Sequence, residues 1–345
     1  MTMVQRLVRA AAYLPAYTDG VGRLAAPDED LFTLAATALE RAAGRGTPDG
    51  TTQVVRWVGP APPPDRSELS AVLGAPVELL TGDGSREALN RALAAAGAAD
   101  GPGWVVAAQC GETTPGPPGD GAVALRFGAG AGAGAVPGSW EVPKGPRAPG
   151  ALAHLLSTEG PGPRTALWVG DWGADPGRGL PPPPGPRTAS GPPPYTVSQG
   201  AFVAAPRDEE SRPSRWGFVA DRCSACHVLT FPQRGRCRDC GRSDGLRPEA
   251  LPLDGWTVVA VTWIGAGGQP TEFDTQVETN GPYGVVLAEM GPDVRVTLPV
   301  ADASRGELRI GSKVDTRLRR LYPMEGAWRY GRKAVPVREQ RARPS

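Results

Sequence analysis

The first 128 residues alternate between short apolar runs of strand length and longer stretches with helical spacing of their apolar residues. Strand-like runs lie at 4–17, 52–58, 77–80, 103–108 and 121–127, and helical stretches follow Asp28-Glu29-Asp30 and lie at 67–73 and 86–96. The three acidic residues suit the positive end of a helix dipole. Strands that alternate with helices predict a layered α/β sheet.

From residue 256 onward the pattern changes to strands alone. The apolar residues alternate with polar ones, and Gly and Pro turns separate the runs. The five predicted strands cover 256–264, 283–289, 294–299, 314–321 and 328–337. Five alternating strands without helices predict a small closed β-barrel.

Glycine and proline dominate the middle of the chain. The 345 residues include 47 Gly and 39 Pro, a quarter of the total. The richest stretches, 129–150 and 173–195, are predicted linkers that cannot bury a core. Between these two linkers we predict a short island with a helix at 149–157 and a strand at 165–170. The predicted domains are an α/β region (1–128), linkers with this island at 149–174 (129–213), a metal-binding segment (214–246), the barrel (247–340) and a tail (341–345).

The near-zero net charge of the chain argues against some classes of binding partner. Lys and Arg number 37 against 36 Asp and Glu, a net charge of +1, so no overall field attracts nucleic acid or an anionic membrane. No apolar run is long enough to span a membrane. The amino terminus, Met-Thr-Met-Val-Gln-Arg, lacks the apolar run of a secretory signal. We therefore expect a cytoplasmic protein with no membrane and no nucleic-acid partner.

Four of the five cysteines form two pairs, with two residues inside each pair and ten between the pairs. The pairs are Cys223 with Cys226 and Cys237 with Cys240. A two-residue gap lets both thiolates of a tight turn face one ion, and two such turns complete the tetrahedron that Zn²⁺ prefers. Phe231-Pro232 and the following Arg-Gly favour a turn between them. The spacing predicts a zinc site.

Other interpretations of the four cysteines are two disulfides, a redox pair or a degenerate site. A reducing compartment favours metal over disulfides. Four thiolates leave no open coordination position, so the zinc would be structural. His227 follows the second ligand and could compete for the ion, although a residue in this position usually points away.

The α/β region resembles the amino-terminal half of the thiolase superfamily, with the microbial 3-hydroxy-3-methylglutaryl-CoA synthases closest. The resemblance spans 4–128 and includes the 28–42 helix, the Gly-rich entry to the 86–96 helix and the 121–127 strand. The short strand at 165–170 resembles the last strand of that fold's other half. The family's nucleophilic Cys would fall at Gly82, so the resemblance implies a catalytic half without its nucleophile.

Three other residues are candidates for catalysis. Cys110 is the spare thiol, but a lone cysteine is commonly a small buried or idle residue. Asp83 at a helix start could act as a replacement acid, although a helix cap is the simpler role. His154 could act as a base, but it is more simply a helix residue because its cysteine partner is absent.

The segment 214–340 resembles the acyl-CoA-associated zinc-ribbon/OB-fold family, long called a domain of unknown function. The similar motifs are Phe231-Pro232 in the ribbon, 281–289, 310–314 and 330–333. The resemblance implies a zinc ribbon followed by an OB-fold barrel. It also implies a thiolase- or ketosynthase-type partner enzyme, in acyl-CoA condensation, cleavage, acetoacetyl transfer or polyketide acylation of secondary metabolism.

A coenzyme A thioester needs cations for its phosphates and an apolar trough for its pantetheine arm. A tentative CoA face can be drawn from basic and aromatic residues, although a solvated basic surface would have the same composition. Its members are Arg234, Arg236, Trp263, Tyr283, Arg317, Arg319, Arg320 and Tyr322.

Three functions remain open on the sequence. The first is a non-catalytic accessory or scaffold subunit of an acyl-CoA complex. The second is a divergent acyl-CoA synthase or acyltransferase that acts alone through Cys110, Asp83 or His154. The third is nucleic-acid binding, which OB barrels and zinc ribbons perform elsewhere, but the near-zero net charge argues against it.

Overall fold

A computed structural model describes two compact units of the chain. The described residues are 6–13, 17–18, 23–26, 28–43, 51–59, 63–82, 86–99, 101–109, 120–128, 205–265, 277, 281–291, 294–324 and 327–337. We call 6–128 the N-terminal unit and 205–337 the C-terminal unit. Asp83, Cys110, His154, the predicted island and most of the predicted linker lie outside the described residues. No helix within the described ranges is long and apolar enough to cross a membrane.

The N-terminal unit contains a mixed five-stranded sheet. Its strands are β1 (Arg6–Tyr13), a two-stranded ribbon of β2 (Tyr17–Thr18) and β3 (Arg23–Leu24), and β4 (Gln53–Val58), β5 (Val77–Gly82), β6 (Gly103–Gln109) and β7 (Gly121–Gly128). The sheet order is β1-β7-β6-β4-β5. Strand β4 runs parallel to β5 and β6, whereas β7 is antiparallel to β1 and β6. The predicted strand–helix alternation is confirmed.

Three helices cover this sheet: α1 (Leu31–Ala43), α2 (Arg66–Leu73) and α3 (Arg86–Gly97). The chain moves outward from β4 to β5 through α2, then returns past β4 to β6 through α3. Right-handed crossovers in opposite directions place α2 and α3 on opposite faces of the sheet. Helix α1 packs on β1, β6 and β7 and contacts α2, so α1 and α2 share a face.

The start of α1 matches its predicted acidic cap. The N–H of Thr33 donates to Asp30 Oδ1 at 2.9 Å, and the Asp30 N–H donates to Thr33 Oγ1 at 2.8 Å. Glu29 accepts hydrogen bonds from Tyr13 Oη and the Ala26 N–H. Beyond this cap, every residue from Phe32 to Leu39 is buried, so α1 is a core helix.

The C-terminal unit begins with helix α4 (Ala205–Arg215), which was not predicted and occupies the end of the predicted linker. Buried Asp208 holds α4 together by accepting from Arg215 Nη1 at 2.6 Å and Arg212 Nε at 3.4 Å. After the helix, Trp216 Nε1 donates to the Tyr330 carbonyl at 3.0 Å. The chain entering the metal-binding segment is therefore anchored to the barrel.

A small sheet and a larger one follow α4. The small sheet has the order β10-β8-β9, from β8 (Val219–Cys223), β9 (Leu229–Thr230) and β10 (Leu246–Ala250). We call 219–250 the four-cysteine module. The larger sheet consists of β11 (Trp256–Ile264), β12 (Tyr283–Met290), β13 (Val294–Pro299), β14 (Lys313–Met324) and β15 (Ala327–Pro336).

The larger sheet curls into a barrel-like structure. Its order is β13-β12-β11-β14-β15 with antiparallel neighbours. The two edges meet at a parallel bridge between Val300 and Ala334, where the Ala301 N–H donates to the Ala334 carbonyl at 2.9 Å. Trp256, Val258 and Val286 lie in its core. All five predicted strands are confirmed, with ends that differ by three residues at most.

Candidate metal centre

The four predicted ligand cysteines come together at one end of the small sheet. Their sulfur atoms all lie within 4.8 Å of one another. The shortest separations are 3.4 Å between Cys226 and Cys237, 3.6 Å between Cys223 and Cys240, and 3.7 Å between Cys226 and Cys240. A tetrahedral zinc–thiolate site with bonds of about 2.3 Å places its sulfurs roughly 3.8 Å apart. The cluster therefore has the dimensions of a metal site.

Both cysteine turns have the same local construction. The His227 N–H donates to the Cys223 carbonyl at 2.9 Å, and the Gly241 N–H donates to the Cys237 carbonyl at 3.1 Å. Both His227 (φ 61°) and Gly241 (φ 73°) are left-handed, four residues after the first cysteine of their turn. His227 therefore closes a turn, and its side chain is exposed. The metal-binding group found among the described residues consists of cysteines alone.

Backbone N–H groups make the first sulfur of each turn the more acidic. The N–H groups of Cys226 and Ala225 lower the pKa of Cys223, and those of Cys240 and Asp239 lower the pKa of Cys237 to about 6. The pKa of Cys226 is about 12, because the Val228 N–H lowers it but the Cys237 sulfur and burial together raise it more. Four thiolates this close repel one another, and a divalent cation removes that repulsion.

The donor set determines which ion and which role the site could have. Four thiolates in a tetrahedral arrangement suit a metal such as zinc and leave no position for water or substrate. Bound there, the ion would join the two turns and supply a structural cross-link. The prediction that all four cysteines serve as ligands is consistent with this geometry.

A further residue, Thr230, supports the second turn and was not predicted from the sequence. Thr230 is buried in β9, and its Oγ1 accepts the N–H of Arg238 at 3.0 Å, directly after Cys237. The Cys237 N–H donates to the Arg242 carbonyl at 2.7 Å. A threonine on a two-residue strand gives no sequence signal for this role, because its partner lies across the turn.

The eight residues of the tentative CoA face have different environments. Arg234 and Arg236 are exposed on the turn of the four-cysteine module. Arg317 binds Asp254 at 2.7 Å and Asp315 at 3.4 Å. Tyr322 is partly buried. Trp263 is partly buried too, and its ring lies against Gly284, the residue opposite it on β12.

The remaining three members are inside the fold. Arg319 is fully buried and pairs with Asp302 at 3.0 Å, and buried Arg320 lies over the Trp328 ring at 4.6 Å. Tyr283 is also buried, which raises the pKa of its hydroxyl. Arg319 and Arg320 are therefore buried rather than part of an open cationic surface, and their contact with CoA stays a prediction.

Gly82, the predicted site of the lost nucleophile, is the last residue of β5. A Cβ added to Gly82 would lie 3.3 Å from the Cβ of Ala88 on α3, so a side chain here would face that helix closely. The described residues of the N-terminal unit contain no cysteine. Asp83, Cys110 and His154 lie outside the described ranges, so their catalytic roles stay predictions.

Comparison with known proteins finds similarity to a DUF35 protein. No family model matches the chain. A DUF35 domain-containing scaffold protein of Methanocaldococcus jannaschii is 27% identical over 125 residues, which are 36% of this chain and 84% of that protein. The chain is thus similar to a DUF35 protein over about a third of its length.

Solved structures of DUF35 proteins and of an HMG-CoA synthase are similar to parts of this chain, with TM-scores of 0.30 or less. The Ltp2-ChsH2(DUF35) aldolase is 21% identical with a TM-score of 0.29, covering 37% of this chain and 89% of that one. A DUF35 protein of Sulfolobus solfataricus is 15% identical, with a TM-score of 0.23 and coverage of 34% and 73%. PksG, an HMG-CoA synthase from Bacillus subtilis, is 12% identical with a TM-score of 0.30, and the match covers 37% of this chain and 40% of that enzyme.

Proposed function

We propose that this chain is a non-catalytic accessory subunit of a thiolase- or ketosynthase-type acyl-CoA complex. The observation that carries the proposal is the sequence match to a DUF35 scaffold protein, 84% of whose length is covered. A scaffold acts by holding other proteins, and its function requires a stable surface rather than a reactive group. The C-terminal unit, with its four-cysteine module and barrel-like sheet, supplies such a surface.

Within this proposal, 214–246 is a zinc ribbon and 247–340 an OB-fold barrel. The closure of β13 on β15 through Val300 and Ala334 supports a small five-stranded barrel of this class. The four-sulfur cluster supports a structural zinc ion. The ion would keep the turn carrying Arg234 and Arg236 in a fixed shape, ready to contact a partner or the phosphates of an acyl-CoA.

The N-terminal unit would serve as a degenerate thiolase-like half that pairs with an intact enzyme. Two observations support this role: by the resemblance of the sequence, Gly82 falls where the thiolase family has its nucleophile, and Ala88 restricts the space beside Gly82. An acyl-enzyme intermediate requires an activated nucleophile. The partner would supply the reactive cysteine, and this chain would supply contact surface.

A two-step experiment tests the proposal. The tagged full-length protein is co-expressed with a thiolase-type enzyme encoded in the same genome, and the complex is measured by size exclusion with light scattering. Acyl-CoA turnover is then assayed for each chain alone and for both together. We expect a joint peak and turnover only when the enzyme is present, raised by this chain.

Two results would overturn the proposal. One is the absence of a joint species with any thiolase-type enzyme of that genome. The other is turnover by the isolated chain, abolished in Cys110→Ala or His154→Ala, which would establish the divergent synthase instead. As a matched control, Arg247→Ser removes an exposed arginine of β10 and should leave assembly unchanged, whereas Arg234→Ser with Arg236→Ser should weaken it if the turn is the contact.

A further inference from the structure

The four sulfurs of the cluster differ in their access to solvent. Cys223 and Cys237, the first cysteine of each turn, are 0% and 2% exposed. The second cysteines are more open: Cys226 is partly exposed and Cys240 is exposed. The cluster therefore has a core-facing pair and a solvent-facing pair, and each pair takes one cysteine from each turn.

We propose that Cys226 and Cys240 form an oxidation-sensitive pair whose conversion to a disulfide by a peroxide releases the metal. The proposal rests on the zinc site of the proposed function and adds a means of regulating it. The two sulfurs lie 3.7 Å apart, so they need to move closer by less than 2 Å to reach the bond length of about 2.05 Å. Metal coordination makes all four sulfurs thiolates, and the Cys226–Cys237 and Cys223–Cys240 separations of 3.4 and 3.6 Å are similar, so the difference in exposure is what favours this pair.

The reaction balances with hydrogen peroxide as the oxidant. The Cys240 thiolate attacks one peroxide oxygen, and with one proton this gives a sulfenic acid and one water. The Cys226 thiolate then attacks the sulfenic sulfur, and with a second proton the hydroxyl leaves as the second water. Two thiolates lose two electrons, peroxide gains them, and the ion keeps only two sulfur ligands, which are too few to hold it.

Cys223 and Cys237, the buried pair, are held by contacts that this oxidation does not involve. Cys223 ends strand β8 and lies opposite Leu246 of β10, so the ladder of the small sheet holds it. The Cys237 N–H donates to the Arg242 carbonyl. The Cys226–Cys240 disulfide involves neither contact and would keep the two turns joined after the ion leaves, which removal of the metal by a chelator alone does not do. Reduction with added zinc should then restore the site.

The experiment uses full-length protein with the Cys110→Ser substitution, so that the four cluster cysteines are the only thiols that can be oxidised. Zinc content is first measured as purified. Hydrogen peroxide is then added in steps, zinc release is followed with a chromogenic chelator, and peptide mass mapping identifies each oxidised cysteine. We expect the Cys226–Cys240 disulfide to form about tenfold or more faster than any oxidation of Cys223 or Cys237, together with one zinc ion released per disulfide.

Other outcomes overturn the inference. Equal oxidation of all four cysteines, a first disulfide that contains Cys223 or Cys237, or zinc release ahead of any disulfide would each exclude the selective pair. Protein purified without zinc would contradict the zinc proposal alone, because the peptide map still reports which sulfurs pair first. Chelator without peroxide is the control for spontaneous metal loss.

Discussion

The N-terminal unit and the four-cysteine module of the C-terminal unit differ in how much of their chain is buried. In the N-terminal unit, α1 buries nine of its residues against a sheet whose central strands are also buried. In the four-cysteine module, strand β10 has no buried residue and β9 has one. A segment this short buries little apolar surface of its own, and a metal ion at its four cysteines would supply the missing stability. The N-terminal unit is thus stabilised by buried side chains, whereas the four-cysteine module would depend on a bound ion.

Metal removal should give the largest effect and should affect one unit only. Structural zinc contributes an apparent free energy of about 10–16 kcal/mol in comparable small domains. Dialysis against a chelator should therefore abolish the folded four-cysteine module and leave the transition of the N-terminal unit in place. Differential scanning calorimetry with zinc analysis measures both. Loss of both transitions, or of neither, would contradict the comparison.

The buried ion pair of the C-terminal unit should give the next largest effect. Arg319 is fully buried beside Asp302, whose left-handed backbone (φ 55°) asparagine also tolerates. Asp302→Asn keeps the side chain's shape but removes its charge, and should cost about 3–5 kcal/mol in the free energy of unfolding.

The matched control for this pair is Asp254→Asn, because the Asp254 side chain is 66% exposed where it binds Arg317. Loss of this partly exposed pair should cost about 1 kcal/mol or less. Urea unfolding of both full-length variants measures the difference. Equal costs would show that burial of the Arg319 pair has no energetic consequence.

A buried and an exposed leucine of the N-terminal unit can be compared in the same manner as the two ion pairs. Leu34 on α1 is fully buried, and Leu34→Ala should cost about 2–5 kcal/mol through lost transfer energy and a residual cavity. Leu80→Ala on β5 removes a side chain that is 44% exposed and should change stability by about 0.5 kcal/mol at most. The thermal transition of the N-terminal unit should fall for Leu34→Ala alone, with the zinc content unchanged.

The smallest predicted effect concerns the support of the second cysteine turn. Thr230→Val keeps the shape of the side chain but removes the acceptor of the Arg238 N–H, a loss of about 1–3 kcal/mol. Zinc affinity should fall by roughly tenfold for each 1.4 kcal/mol, as measured by competition with a chelator. Thr262→Val, at an exposed position of β11, is the control and should leave the affinity unchanged.

The sequence predicted most strands and helices because their signals are local. The alternating residues of β11 and the cysteine spacing needed no knowledge of distant contacts. Helix α4 was missed because it contains Pro213 and is strongly polar, and its Asp208 is buried only by contacts of the folded chain. Its stability comes from ion pairs and from Trp216, features that local propensity does not encode.

The burial of Arg319 and Arg320 could not be predicted for a similar reason. An arginine on a strand is usually exposed, and only the position of its partners decides otherwise. Asp302 is 17 residues from Arg319 in sequence and reaches it after the bridge that closes the barrel. The burial of these two arginines could therefore not be predicted, because tertiary structure rather than local pattern determines their exposure.

The position of β1 in its sheet has a consequence for synthesis of the chain. Its Arg6 lies opposite Gly128 and its Tyr13 opposite Ala122, and β7 is the one neighbour of β1 in the described sheet. While the ribosome makes the intervening residues, β1 exposes both edges, which is a condition that promotes aggregation. In β14 and β15, by contrast, pairing begins as soon as the hairpin is made. Nascent chains should therefore need protection early, at the amino terminus, and much less as the barrel hairpins emerge.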